Sequence, residues 1–228
     1  MTRSPAVGDD MTLTLFAHPF ASYCQKVLIA FYENATPFDY RMLDPDHADN
    51  GAEFARLWPP AKFPLLLDGD RPVMESSTII EYLHIHHPGP VRLLPGDPAR
   101  ALEVRMLDRI FDNHVMANMQ RVVSDALRPP ERRDPVEVEE AKAGLDRVYG
   151  WLEGHMAGRE WASGDFSLAD CAAAPSLFYA DWVHPVAEAF PALRAYRARL
   201  LARPSFARAV DEARPYRPFF PLGAPDRD

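Results

Sequence analysis

The fold of this chain is decided by the stretch ESSTIIEYL at residues 75–83, which begins a predicted helix directly after a short hairpin. The first turn of a helix has free N–H groups and the positive end of the helix dipole, so it binds a carboxylate readily. Ser76 adds a hydroxyl at that point, and Glu75 adds a charge that can hold an ammonium. Together they suit a small zwitterion, such as an amino acid or a peptide. The alternative is an ordinary capped helix, because Ser is a common N-cap without any ligand.

Upstream of that helix, strand patterns and helix patterns alternate. Strands are predicted over residues 11–16 and 38–43, helices over 23–33 and 48–57, and a hairpin over 65–74. The Asp68-Gly69 pair indicates the hairpin turn, and Pro72 places the second hairpin strand at a sheet edge, since proline cannot donate to an inner ladder. This order predicts a small α/β domain with a mixed sheet.

Downstream, prolines and glycines between residues 88 and 98 interrupt the chain, and the strand patterns stop after them. Helices are predicted over residues 99–124, 136–156, 167–180, 192–201 and 205–213. The predicted organisation is a disordered tail at residues 1–10, an α/β domain at 11–90 and an all-helical domain at 96–228. From Pro215 onwards the chain is proline-rich, which predicts a tail or a strap over the surface.

The composition of the chain argues against several classes of function. The 228 residues are 47% hydrophobic and carry a formal net charge of -8, which argues against nucleic acid as the main partner. No apolar run reaches the length of a membrane span, and residues 1–10 lack the apolar core of a signal peptide. Cys24 and Cys171 are the two cysteines, and they lack the spacing of a metal site or a disulfide scaffold. A cytoplasmic protein without a bound metal is therefore expected.

Residues 166–170, FSLAD, have the pattern of a capping box. Ser167 can accept from the N–H of Asp170, and the Asp170 carboxylate can accept from the N–H of Ser167. The small residues that follow predict a helix in the centre of the helical domain. We interpret Asp170 as structural rather than catalytic, and Cys171 as a packing residue.

Five stretches in order carry a resemblance to a known family. They are residues 15–30, 59–66, 75–83, 167–170 and 203–206. Over residues 13–216 the chain resembles the cytosolic glutathione transferases. The resemblance implies a thioredoxin-like N-terminal domain, an all-helical C-terminal domain, a homodimer, and an active site at the domain junction. It also implies a detoxification enzyme that activates the glutathione thiol for attack on a hydrophobic electrophile.

The same resemblance assigns glutathione-binding roles to five residues. Phe63-Pro64 is similar to the cis-proline pair of the family, and the backbone of Phe63 would pair with the cysteinyl part of glutathione as one strand pairs with another. Ser76 would bind the γ-glutamyl carboxylate and Glu75 its amine. Lys62 stands where the family often has a side chain for the glycyl carboxylate, although a solvated loop lysine is the alternative.

The thiol-activating donor is where this sequence departs from the family pattern. The serine or cysteine position of several classes falls on Ala21, which cannot donate a hydrogen bond. Ser22, one residue on, is the predicted catalytic donor. Tyr23, Cys24 and the backbone N–H groups of the helix start are the alternatives. Without a partner cysteine at Ala21 or Ser22, the sequence does not favour dithiol redox chemistry.

An electrophile pocket is expected between the loop before the first helix and the long helix over residues 99–124. Its predicted lining residues are Phe20, Tyr23, Phe111, His114, Val115 and Met119. Apolar and aromatic side chains suit a hydrophobic second substrate, although each of these residues could instead belong to the core. Two other functions stay open. One is a binding protein of the same fold without turnover, and the other is a glutathione-dependent isomerase or reductase.

Overall fold

The computed structural model describes residues 13–228. The predicted tail at residues 1–10 and the first two residues of the first predicted strand lie outside this range. The N-terminal domain consists, in order, of β1 Leu13–Ala17, α1 Ser22–Glu33, β2 Asp39–Met42, α2 Ala48–Leu57, β3 Leu65–Asp68, β4 Arg71–Met74 and α3 Ser76–His86.

The sheet has the strand order β2-β1-β3-β4. β1 runs parallel to β2, β3 is antiparallel to β1, and β4 is antiparallel to β3. β4 is an edge strand, so Pro72 stands where the missing N–H costs no inner hydrogen bond. This mixed sheet confirms the predicted thioredoxin-like domain and the predicted hairpin, whose turn has Gly69 at a φ of 57°.

The two faces of the sheet are covered by different helices, because successive strand residues point to opposite sides. Leu15 packs in the core that includes residues of α1 and α3. Phe16, the next residue, packs instead against Phe54 of α2 and Leu65 of β3. β1 and β4 run in the same direction, so the connections that lead from them into α1 and α3 lie at the same end of the sheet.

The rest of the chain is helical, as predicted. Its helices are α4 Pro98–Ile110, α5 Ala117–Leu127, α6 Pro135–Met156, α7 Leu168–Val183, α8 Pro191–Ala202 and α9 Pro204–Ala213. A π-helical segment, Phe111–Met116, joins α4 to α5 where one continuous α-helix was expected. No helix within residues 13–228 combines the length and apolar character needed to cross a membrane.

The capping box at the start of α7 is present as predicted. The buried carboxylate of Asp170 accepts from the N–H of Ser167 at 2.9 Å and from the hydroxyl of Tyr196 at 2.6 Å. The first two turns of α7 are completely buried, and α7 packs against α1 of the other domain. This contact places the loop before α1 at the junction of the two domains.

Candidate functional site

A cavity of about 750 Å³ opens at the domain junction. The N-terminal domain contributes the first turn of α1, the loop before β3 and the first turn of α3. The C-terminal domain contributes residues of α4, the π-helical segment, α5 and α7, together with residues 219–221 near the C-terminus.

The five residues with predicted glutathione-binding roles all line this cavity. They are Lys62, Phe63, Pro64, Glu75 and Ser76. The Phe63-Pro64 peptide bond is cis, as the resemblance implied. Residues separated by more than ten positions in the sequence are therefore brought to one wall, with a loop backbone beside a helix N-terminus.

Two helix N-termini at this wall lack a side-chain cap. Ala21 precedes α1 and Glu75 precedes α3, and neither N-cap side chain accepts a hydrogen bond from its helix. Glu75 also adopts a φ of 67°, which lies in the left-handed region. Free first-turn N–H groups and two positive dipole ends at one cavity make a favourable position for an anion.

Ser22 and Tyr23, two of the candidate donors, lie in the cavity wall beside Ala21. Ser22 is the first residue of α1. Burial, together with the negative charge of Asp112, raises the pKa of Tyr23 to about 12. The Tyr23 hydroxyl therefore keeps its proton at neutral pH and can act as a donor, as can the Ser22 hydroxyl.

Cys24 does not reach this cavity. Its side chain is fully buried in the core, and its Sγ atom accepts from the backbone N–H of His18 at 3.5 Å. Burial raises the pKa of the Cys24 thiol to about 12. A thiol buried away from the cavity can neither donate to a ligand nor form a mixed disulfide with it, so Cys24 loses its basis as an alternative to Ser22.

A buried ionic cluster beneath the cavity was not anticipated from the sequence. The Lys26 side chain is 1% exposed, and its Nζ atom lies 2.5 Å from Asp108 Oδ1 and 2.8 Å from Asp112 Oδ2. Lys26 also donates to Ser77 Oγ at 2.9 Å, and Arg109 donates to the same hydroxyl. Because Lys26 and Ser77 belong to one domain and both aspartates to the other, the cluster connects the two domains.

A sequence pattern for this cluster exists. Asp108 and Asp112 are four residues apart, on one face of a helix whose other inward residues are apolar. Carboxylates on such a face need a buried cation as a partner. Lys26 is a candidate because it lies in α1, where most of the neighbouring residues are buried. What the pattern does not identify is which lysine or arginine is the partner.

Asp112 lines the cavity as well as the cluster. Its Oδ1 atom is buried and has no hydrogen-bond partner among residues 13–228. Burial raises the pKa of Asp112 and Asp108 adds to the effect, while Lys26 opposes it. Asp112 lies in the π-helical segment, and such segments occur often at functional sites. An unpaired buried acceptor at a cavity wall is a position where a ligand donor can bind.

The other end of the cavity is apolar. Phe20 and Met119, both predicted, line it, and so do residues that were not predicted. Those further lining residues are Val123, Leu127, Tyr179, Phe219, Phe220 and Pro221.

Three predicted pocket residues lie elsewhere, which corrects the expectation. Phe111 and Val115 are fully buried in the core, where the Phe111 ring lies 6.5 Å from the ring of Tyr196. His114 opens instead on a separate cavity of about 340 Å³ that Trp151 also lines. Residues 112, 119 and 123 of the same stretch line the main cavity instead.

The fold and the cavity define a two-domain protein with a thioredoxin-like domain and a cleft suited to a zwitterionic peptide. Two family models match the chain. The N-terminal domain of glutathione S-transferase matches residues 15–91, and the C-terminal domain of glutathione S-transferase matches residues 115–204. The chain belongs to the glutathione S-transferase family.

Among its relatives is a probable maleylacetoacetate isomerase of Vibrio cholerae, 29% identical over 90% of this chain and 98% of the relative. Glutathione S-transferase GstB of Escherichia coli is 27% identical over 87% of this chain and 97% of the relative. A stringent starvation protein A homolog of Coxiella burnetii is 27% identical over 88% of this chain and 92% of the relative.

A solved glutathione S-transferase of Methylobacterium radiotolerans, in complex with glutathione sulfonate, is similar with a TM-score of 0.75 and 28% identity. The alignment covers 87% of this chain and 94% of that one. The names of these relatives indicate different functions, so membership of the family does not specify one reaction.

Proposed function

We propose that this protein is a glutathione transferase, which activates the glutathione thiol for attack on a hydrophobic electrophile. The observation that carries the proposal is the cavity at the domain junction. It combines two uncapped helix N-termini, the backbone edge at Phe63-Pro64 and an apolar end. A tripeptide with a charged end and a reactive thiol is complementary to these three surfaces.

Each part of glutathione has a proposed partner. The N-terminus of α3 and Ser76 bind the γ-glutamyl carboxylate, and Glu75 binds its amine. The backbone of Phe63 pairs with the cysteinyl residue, and Lys62 binds the glycyl carboxylate. The thiol then lies at the start of α1, next to Ser22.

Activation of the thiol requires electrostatic stabilisation of its thiolate form. A free thiol has a pKa of about 8.5, so only a few per cent of the thiol is ionised at neutral pH. A hydroxyl donor and the dipole of α1 both stabilise the thiolate, and a shift of one unit corresponds to about 1.4 kcal/mol. Ser22 is the proposed donor, because it is the first residue of α1 and lines the cavity.

A second candidate is glutathione-dependent isomerisation. The relative from Vibrio cholerae carries the name of an isomerase and is similar over nearly the whole chain. Both reactions begin with the same thiolate, and they differ in whether the electrophile leaves as a glutathione conjugate. Incubation with maleylacetoacetate and with an alkyl or aryl halide separates them, because only the second consumes glutathione.

We also propose a homodimer. Exposed apolar side chains of Ile85, Leu102 and Met106 lie on α3 and α4. These two helices run antiparallel beside each other, since Arg105 binds Glu81 and Arg109 binds Ser77. Contact between two copies would remove these side chains from water. A cytoplasmic location and a detoxification role stay part of the proposal.

The decisive experiment is a pH titration of the ultraviolet thiolate absorbance of bound glutathione. The bound thiol is expected to ionise at least about one unit below its free pKa. Ser22→Ala should return the value most of the way to that of free glutathione, whereas Ser163→Ala, a buried serine outside the cavity, should not change it.

Other results would contradict parts of the proposal. An unshifted thiol in a protein that binds glutathione supports the binding protein without turnover. A shift that survives in Ser22→Ala but disappears in Tyr23→Phe transfers the donor role to Tyr23. Absence of glutathione binding removes the proposed function altogether.

A further inference from the structure

The chain continues beyond α9 as a segment that we name the C-terminal strap, residues 214–228. It begins as a 3-10 helix, Arg214–Phe219, and its residues Phe219, Phe220 and Pro221 line the main cavity. The family model for the C-terminal domain ends at residue 204. Part of the apolar wall of the cavity thus comes from a segment that the family match does not cover.

The C-terminal strap is packed against both domains. Phe220 is buried, with its ring 5.1 Å from Trp182 and 6.5 Å from Phe20. Tyr216 packs edge-on against His18 at 4.6 Å. Since His18 and Phe20 belong to the loop before α1, the strap contacts the loop that leads to Ser22.

Ion pairs hold the C-terminal strap in this position. Arg214 binds Asp228, with Nη2 2.6 Å from Oδ2, and Arg217 pairs with the same carboxylate. Arg227 pairs with Asp181 of α7. Residues 227 and 228 are therefore folded back, and they pair with the helical domain and with the start of the strap.

Two apolar side chains of the cavity wall are largely exposed, which places them at the mouth of the cavity. Phe219 of the strap is 75% exposed, and Leu127 at the end of α5 is 70% exposed. Both side chains line the cavity. An apolar group that extends from the inner end to the mouth would bury both, which favours its binding.

The inner end is aromatic. The rings of Phe20 and Tyr179 meet edge to face at 5.6 Å, and the rings of Phe20 and Phe220 do so at 6.5 Å. Aromatic rings attract each other in such arrangements beyond the effect of buried area alone. A further ring placed between this cluster and Phe219 would extend the same packing.

We propose that the C-terminal strap determines the second substrate, and that it selects electrophiles that carry an aromatic ring, with Phe219 as the specificity-determining residue. This inference rests on the proposed function, because the electrophile must lie next to the thiol of bound glutathione. The ring of the electrophile then lies between Phe219 and the cluster formed by Phe20, Tyr179 and Phe220.

Calorimetric binding of S-substituted glutathiones tests this without any need for turnover. The unaltered protein should bind S-benzylglutathione at least about ten-fold more tightly than S-methylglutathione. Phe219→Ala should reduce that ratio about three- to ten-fold and leave the affinity for S-methylglutathione unchanged. Leu222→Ala, an exposed strap residue outside the cavity, should leave the ratio as it is.

S-cyclohexylmethylglutathione, with a ring of similar size that is not aromatic, separates aromatic packing from bulk. Its affinity should fall less in Phe219→Ala than that of S-benzylglutathione, and an equal fall would overturn the aromatic selection. An unchanged benzyl-to-methyl ratio in Phe219→Ala would overturn the role of the strap while the glutathione site stands. If the unaltered protein binds neither S-benzyl- nor S-methylglutathione, the proposed function itself fails and the inference falls with it.

Discussion

The two carboxylate oxygens of Asp112 have different surroundings. Oδ2 is bound by Lys26 at 2.8 Å, whereas Oδ1 is unpaired within the described part of the chain and belongs to a residue that lines the cavity. Lys26 also binds Ser77 in the first turn of α3. Asp112 thus lies close to the helix start that is proposed to bind the γ-glutamyl carboxylate. The α-ammonium of that group is on the same carbon and has three N–H donors, so in the proposed complex Asp112 Oδ1 can accept one of them while Glu75 binds another.

Asp112→Asn should therefore weaken glutathione binding about ten-fold or more, because a hydrogen bond between charged groups contributes about 1.5–3 kcal/mol. The variant should bind des-amino glutathione, which lacks the α-ammonium, as tightly as the unaltered protein does. Isothermal titration calorimetry with both ligands measures the difference.

Asp108→Asn is the matched control for that measurement. It breaks the same buried pairing with Lys26, but Asp108 does not line the cavity. Any loss that comes from disturbing the ionic cluster should affect both ligands equally in this variant. Equal weakening of glutathione and des-amino glutathione in Asp112→Asn would contradict contact between Asp112 and the ammonium.

At the scale of single elements, the loop before α1 is held by His18. Its Nδ1 atom accepts from the backbone N–H of Phe20 at 3.2 Å, and its ring packs against Tyr216. Burial lowers the pKa of His18 below 6.5, and the charge of Asp44 only partly opposes this. The neutral ring is the form that can accept at Nδ1, so protonation removes a contact that shapes the loop leading to Ser22.

The sign of the pH dependence follows from the lowered pKa. Because the unfolded chain binds the His18 proton more tightly, the contribution of His18 to stability is complete above pH 6.5. It is lost as the pH falls from 6.5 towards the lower folded-state value.

Urea unfolding between about pH 7 and pH 5 should therefore show a fall in the free energy of unfolding, and this fall should be smaller in His18→Asn than in the unaltered protein. Asn can still accept from the same N–H through its side-chain oxygen. Identical pH dependence in both proteins would show that His18 is not the titrating group.

The long helix at the start of the helical domain shows where the sequence was sufficient and where it was not. Apolar spacing predicted a helix over residues 99–124, and α4 and α5 confirm helical structure there. The π-helical segment could not be predicted, since residues 111–116 contain neither proline nor glycine. Spacing also cannot tell which inward face meets the core and which meets a cavity. For this reason Phe111 and Val115 were expected in the pocket, and Asp112 was missed.

At the scale of the whole molecule, the two halves of the site differ in how far local sequence determines them. The cis-proline pair and the helix start are close in sequence, within residues 63–76, and both lie in one wall of the cavity. Local patterns predicted the helix start, whereas the cis-proline pair was predicted from the family resemblance. The opposite wall depends on contacts between domains, such as Lys26 with Asp108, and on the return of the C-terminal strap to residues near Phe20. Local patterns can indicate that Asp108 and Asp112 need a buried cation, but they do not identify a partner that is distant in sequence.

The proposed homodimer is a property of the whole molecule. Met106, with Ile85 and Leu102, leaves an exposed apolar face on two neighbouring helices. If two copies cover this face, a charge placed there would be buried without a partner, which costs several kcal/mol. Sedimentation of the unaltered protein should give about twice the chain mass of 25.7 kDa, and Met106→Glu should give the mass of one chain.

Leu222→Glu, at a similarly exposed position on the C-terminal strap, should leave the dimer intact. A dimer that persists in Met106→Glu would place the contact on another face, and a single-chain mass for the unaltered protein at micromolar concentration would remove the homodimer from the proposal.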